Sequence, residues 1–166
     1  MKALFTLLII IGFVNLLFSQ NTKYPQKGDI APVFSIKTTD GKEFNTAKLK
    51  GKIIYINFFA TWCRPCMFEL PRIEKEIWDK ITDEDFVMIA IAREQTTSQI
   101  IKFKESRHFT MPMAADTDRN IYSLFAEQYI PRNIIINRKG IIVYSEKNYS
   151  ADKFDKMIEI IKKELK

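Results

Sequence analysis

Ile53-Ile54-Tyr55-Ile56-Asn57-Phe58-Phe59-Ala60-Thr61-Trp62-Cys63-Arg64-Pro65-Cys66 is the stretch on which the reading of this chain turns. Its first seven residues are nearly all apolar and rich in β-branched and aromatic side chains, the pattern of a central strand covered on both faces. Beyond it Met67, Leu70, Ile73 and Ile77 recur at three- and four-residue spacings, which predicts an amphipathic helix with that stripe against the sheet. Cys63 and Cys66 are the only cysteines, and they fall where the strand turns into the helix. Unpaired N–H groups at a helix N-terminus stabilise negative charge, so Cys63 is acidified there and Cys66 lies one turn deeper, within bonding reach. Pro65 suits the first helical turn, where its missing N–H costs nothing. A bridge closing so small a loop removes little entropy from the unfolded chain, which favours a working redox pair over a structural staple.

Working outward, Phe86 to Ile91 reads as a second buried strand and Thr97 to Arg107 as a helix with Ile100, Ile101 and Phe103 inward. Strand, helix, strand in that order predicts a parallel pair with a right-handed crossover. A short strand near Met111 to Ala115 and a helix near Asp118 to Glu127 follow. Asn133 to Asn137 and Ile141 to Tyr144 then flank Arg138-Lys139-Gly140 as an antiparallel hairpin, and residues 151 to 165 close the chain as a helix. Ahead of the cysteines, Val33 to Ile36 and Lys42 to Phe44 flank Thr39-Asp40-Gly41, a second hairpin. The order predicts an α/β fold, a mixed sheet flanked by helices with an N-terminal β-hairpin extension.

At 166 residues, 46% hydrophobic and 13% aromatic, the chain holds material for one core. Its net charge of +6 is spread along the sequence without aromatic interleaving, which argues against nucleic acid as a partner. Lys2 followed by the apolar run Ala3 to Phe18 reads as a signal peptide cut after Ser19, or as an uncleaved N-terminal anchor. Residues 20–28 read as a linker and 29–166 as the folded domain. Export fits a close cysteine pair, because an oxidising compartment joins such thiols unless something keeps reducing them.

Three further groups of residues carry a family pattern. Ala31-Pro32-Val33-Phe34 with Asp40-Gly41-Lys42, the cysteine stretch itself, and Tyr129-Ile130-Pro131 before Ile134-Ile135-Ile136 occur in order and at suitable distances. The chain resembles the thioredoxin superfamily, and within it the exported ResA/TlpA-like thiol-disulfide oxidoreductases. The resemblance implies a thioredoxin-like fold from about Gly28 onward, with Cys63 as nucleophile and Cys66 as resolving thiol. It implies a cis peptide bond before Pro131, with Trp62, Ile130 and Pro131 forming the substrate-docking surface. Glu69, three residues past Cys66, matches a glutamate that exchanges protons near the buried thiol, and Asn57 stands where cytosolic thioredoxins keep an aspartate. Arg132 replaces a usual threonine after the proline, and Arg64 is an uncommon residue between the cysteines that can tune the thiolate electrostatically.

The resemblance further implies no cofactor, disulfide-containing exported proteins as substrates, and a membrane thiol reductase as electron donor. The compartment it implies is the periplasm, with cytochrome c maturation among the family's roles and membrane contact only through the N-terminal segment. A free thiol titrates near about 8.5, and each unit of lowering takes about 1.4 kcal/mol, within reach of a helix terminus and a guanidinium. Two other chemistries compete. A copper-binding metallochaperone of this fold would need a third ligand, for which His108 is the sole histidine, and such carriers resemble a C-x-x-x-C pattern absent here. A peroxiredoxin-like peroxidase would use Thr61 two residues before its cysteine, but the proline of that motif is missing. His108 itself is assigned no catalytic role.

Overall fold

The computed structural model describes residues 23–166, so the predicted signal or anchor lies outside the described residues. The decisive stretch begins as a strand, Ile53–Phe59, with all seven residues buried. It is β3, after β1 (Ser35–Lys37) and β2 (Glu43–Asn45), which pair antiparallel with Ile36 opposite Phe44. The turn between them is drawn in by Thr38 N donating to Lys42 O at 2.9 Å, with Gly41 at φ +83°, a value that glycine adopts without steric cost.

Four more strands complete a sheet in the order β5-β4-β3-β6-β7: β4 (Phe86–Arg93), β5 (Met113–Asp116), β6 (Arg132–Ile136) and β7 (Ile142–Lys147). β3, β4 and β5 run parallel, while β6 is antiparallel to both β3 and β7. The helices are α1 (Arg64–Arg72), α2 (Thr97–Arg107), the single turn α3 (Tyr122–Phe125) and α4 (Ala151–Leu165). This is the mixed α/β sheet with a hairpin extension that the sequence predicts. None of these helices is long and apolar enough to cross a membrane.

Alternation along β3 divides the core in two. Ile53, Tyr55 and Phe59 face Leu70, Ile73 and Ile77 after the cysteines, Ile100 of α2, and Phe154, Met157 and Ile161 of α4. Ile54, Ile56 and Phe58 face α3 and the hairpin phenylalanines Phe34 and Phe44. Asn57 shares the parity of Tyr55 and Phe59, so a polar side chain is carried into the layer under α1.

Two elements depart from the prediction. The helix after the cysteines changes pitch: Pro71 offers no N–H to the carbonyl of Met67 and crowds it. The chain continues as a π-helical turn, Ile73–Trp78, closed by Asp79 N donating to Glu74 O five residues back at 2.9 Å. The helix expected over 118–127 shrinks to α3. Asp116 accepts from Ile121 N and from Tyr122 N (2.7 Å), tying the turn to β5, while Arg119 sits at φ +62° and Ala126 is extended. Ahead of β1, Gly28 N donates to Ile142 O at 2.8 Å, so the chain is already bonded to the domain there.

Candidate active site

Cys63 is the N-cap of α1, with an extended backbone, and its Sγ accepts from Cys66 N at 3.3 Å. The two residues form a disulfide with Cα atoms 5.3 Å apart. Cys63 retains 5% exposure and Cys66 none, so any attack from outside meets the first sulfur. Arg64 is the first helical residue and is exposed, and Pro65 follows it in the first turn. The loop entering the helix is clamped from β4's far end: Gln95 Oε1 accepts from Thr61 N at 2.7 Å, and Gln95 Nε2 donates to Thr61 Oγ1 at 2.6 Å. Gln95 is buried.

Trp62 is 63% exposed, a large apolar surface next to the disulfide in the chain. The Ile130–Pro131 peptide bond is cis, Pro131 is buried and Ile130 is half-buried. The bend is fixed on both sides, since Asn148 N donates to Pro131 O at 2.8 Å and Tyr122 Oη to Tyr129 O at 2.8 Å. Tyr129 is itself exposed, at φ +75°.

Beneath α1 lies a closed polar cluster. Glu69, 2% exposed, accepts from Asn57 Nδ2 at 3.0 Å and from Asn133 Nδ2 at 2.7 Å. Asn133 Oδ1 in turn accepts from Tyr55 Oη at 2.7 Å and from Asn57 Nδ2 at 2.8 Å. The register explains the meeting, because Asn57 of β3 and Asn133 of β6 are directly opposite and share a face with Tyr55. Burial pushes the Glu69 carboxyl up to about 7, against the two amide donors and, more weakly, the Arg72 guanidinium, which favour its charged form. Burial first, and the Glu69 charge second, hold the Tyr55 phenol well above its ordinary range. Asn57 Oδ1 is buried without a hydrogen-bond partner.

The sequence picks out Cys63, Cys66, Glu69, Trp62, Ile130, Pro131 and Arg64. It gives no role to Asn133, Tyr55 or Gln95, which hold that constellation in place. A hint was present in Asn133, a lone amide heading an apolar strand just past the proline. His108 lies elsewhere, as the left-handed cap (φ +56°) at the end of α2, lining a surface cavity with Thr39 and Asp40. Among the described residues no three His, Cys, Asp or Glu side chains gather as a metal site would require.

Comparison with known proteins adds the following. The Redoxin family model matches residues 26–161. The chain is 32% identical to the thioredoxin-like protein YneN of Bacillus subtilis over 123 residues, covering 70% of this chain and 69% of that one. It is 28% identical to the thiol-disulfide oxidoreductase ResA of Bacillus cereus over 141 residues, 82% of this chain and 81% of that one. The solution structure of a candidate protein disulfide isomerase from Bacteroides thetaiotaomicron superposes with a TM-score of 0.81 at 35% identity, over 85% of this chain and 91% of that one.

Proposed function

The chain belongs to the Redoxin family and is a thiol-disulfide oxidoreductase of the ResA/TlpA-like kind, and from that premise we propose that it reduces disulfides of exported proteins, apocytochrome c cysteines among them. The observation that carries this reading is the asymmetric pair at the head of α1: Cys63 as its N-cap with a 5% sliver of exposure, Cys66 fully buried. In the reduced protein the Cys63 thiolate attacks one sulfur of the partner's disulfide. A mixed disulfide forms, and the partner's other sulfur leaves as a thiolate that takes up a proton. Cys66 then gives its proton to the Glu69 carboxylate and attacks Cys63 Sγ. The second partner sulfur departs, and two electrons have passed from the pair to the substrate.

Glu69 suits that acceptance because a carboxyl titrating near 7 exchanges protons at neutral pH. Trp62 and the Ile130–Pro131 edge offer the surface on which an extended partner strand lies across Cys63, and Arg64 adds positive charge beside the thiolate. Export through the N-terminal segment to the periplasm, and re-reduction by a membrane thiol reductase, complete the cycle. The test is the reduction potential of the pair, obtained by alkylation after equilibration in dithiol buffers. The reductase reading expects about −250 mV or lower, and a value near about −120 mV overturns it in favour of an oxidant.

A further inference from the structure

Beside the docking surface lies a cleft of about 450 Å³ bordered by Trp62, Arg93, Glu94, Arg119, Tyr129 and Ile130. Trp62 adjoins Cys63 in the chain and Ile130 adjoins the cis proline, so a polypeptide lying across the disulfide passes over it. Two guanidinium groups are held there against aromatic rings. That of Arg93, the last residue of β4, sits 5.6 Å from the centre of the Trp62 ring and 5.0 Å from that of Tyr122, and that of Arg119 sits 5.2 Å from Tyr122. A guanidinium attracted to an aromatic face keeps N–H groups for an acceptor such as a carboxylate.

Among the described residues Arg119 has no carboxylate partner, and Arg93 has only a loose ion pair with Glu94. The Nε atoms of both Arg93 and Arg119 are buried without a hydrogen-bond partner, an arrangement that folded proteins avoid. Glu94 Oε2 comes within 3.4 Å of Arg93 Nε but makes no hydrogen bond to it and is half exposed. Glu127, on the cleft's rim, lies 3.5 Å from Lys23 Nζ. Past Tyr129 the cations continue: Lys147 is 4.6 Å from the Tyr129 ring, and Arg132 has a third buried, unpaired Nε. The backbone is also forced here. Of the five non-glycine residues with positive φ among the described residues, three border this cleft: Glu94 (+58°), Arg119 (+62°) and Tyr129 (+75°). Such conformations are costly and gather at ligand clamps.

We propose that this cleft reads a carboxylate on the partner polypeptide, so that the favoured substrates are disulfides with an Asp or Glu a few residues from the cysteine that Cys63 attacks. The proposal rests on the reductase reading and names its substrate class. Bidentate carboxylate–guanidinium pairing supplies the selectivity, against the opposing charge of Glu94, while Glu127 is partly offset by Lys23.

The test uses the pre-reduced full chain and three otherwise identical disulfide peptides with Asp, Asn or Lys near the cystine. Rates are divided by those with dithiothreitol, which removes the intrinsic reactivity of each peptide. At low salt the Asp peptide is expected to react about tenfold faster than the Asn peptide, an advantage that 0.5 M salt reduces. In Arg93→Gln/Arg119→Gln the Asp-to-Asn ratio is expected to fall toward one, and in Arg93→Lys/Arg119→Lys to fall partway. Equal normalised rates for Asp and Asn in the unaltered protein, or a fastest Lys peptide, overturn the carboxylate reading while leaving the reductase intact. Reduction of none of the three overturns the reductase reading itself and the proposal with it. The peptide series on the unaltered chain decides the matter even if the arginine variants fail to fold.

Discussion

Glu69 is pulled two ways, since burial opposes its charge while the Asn57 and Asn133 amides favour it, and burial wins. Its folded value of about 7, against an unfolded one near about 4.5, sets the sign of its effect on stability. Below pH 4.5 the carboxyl is protonated in both states. Between pH 4.5 and 7 the unfolded chain sheds the proton and the folded one keeps it, so stability falls as pH rises and then levels, by about 3 kcal/mol in all. Glu69→Gln is expected to lack that fall. Urea denaturation at pH 4, 6 and 8 checks it as the difference between the two proteins, and parallel curves would mean the carboxyl is not perturbed. The same substitution is expected to slow substrate reduction and flatten its rise through pH 7, whereas unchanged kinetics from pH 5 to 9 would remove Glu69 from the mechanism. Asn133 is the hub of the cluster, because its amide donates to Glu69 and accepts from Tyr55 and Asn57. Asn133→Ala strands those buried groups and is expected to cost about 3 kcal/mol in the same denaturation assay. A loss under about 1 kcal/mol would show that water or rearranged amides replace it.

The π-helical turn after Pro71 is held by one of its own side chains. Glu74 is buried, and its carboxylate accepts from Thr110 N and Thr110 Oγ1, each at 2.6 Å, and from Met111 N at 3.2 Å. One carboxylate thus pins the widened turn to the segment entering β5. Glu74→Ala leaves the Met111 N–H buried without a partner and is expected to cost about 2 to 4 kcal/mol, read as a shift in the denaturation midpoint. Amide exchange should quicken around residues 73–79 and 110–111, and exchange unchanged there would separate the turn from its staple. Elements marked by an apolar pattern are legible in the sequence. β3 declares itself by seven buried residues of which six are apolar, and α2 by its apolar positions Ile100, Ile101 and Phe103. The break at Pro71 escapes that reading, because the apolar stripe of Leu70, Ile73 and Ile77 runs through it and all three residues are buried regardless. The helix expected over 118–127 fails for a related reason. Its apolar spacing is helical, but the Asp116 carboxylate and the left-handed Arg119 confine the chain to one turn. The cysteine pair is legible because its spacing is local. The meeting of Asn57, Asn133 and Glu69 is not, since it depends on the pairing of β3 with β6 across 76 residues.

Across the whole molecule, redox state and folding are linked. A disulfide present in both folded and unfolded chains limits the unfolded chain's freedom, and for so small a loop the expected stabilisation is about 2 kcal/mol. The reduced fold has its own favourable interaction, because the terminus of α1 stabilises a Cys63 thiolate by about 0.3 to 1 kcal/mol. The difference leaves the oxidised fold ahead by about 1 to 2 kcal/mol. A fold that prefers the disulfide makes its dithiol a stronger reductant than the same cysteines in an unfolded chain. At about 30 mV for each 1.4 kcal/mol, the folded pair should lie about 20 to 45 mV more reducing than the unfolded pair. Urea denaturation at pH 7, with and without a dithiol, measures the stability gap, and the potential of the pair in the native and the urea-unfolded chain measures the other side of the same cycle. Both are expected to have the sign of a reductase and to agree in size. A reduced form more stable than the oxidised one would mean that the thiolate site outweighs the loop and that folding makes the pair more oxidising than it is in the unfolded chain.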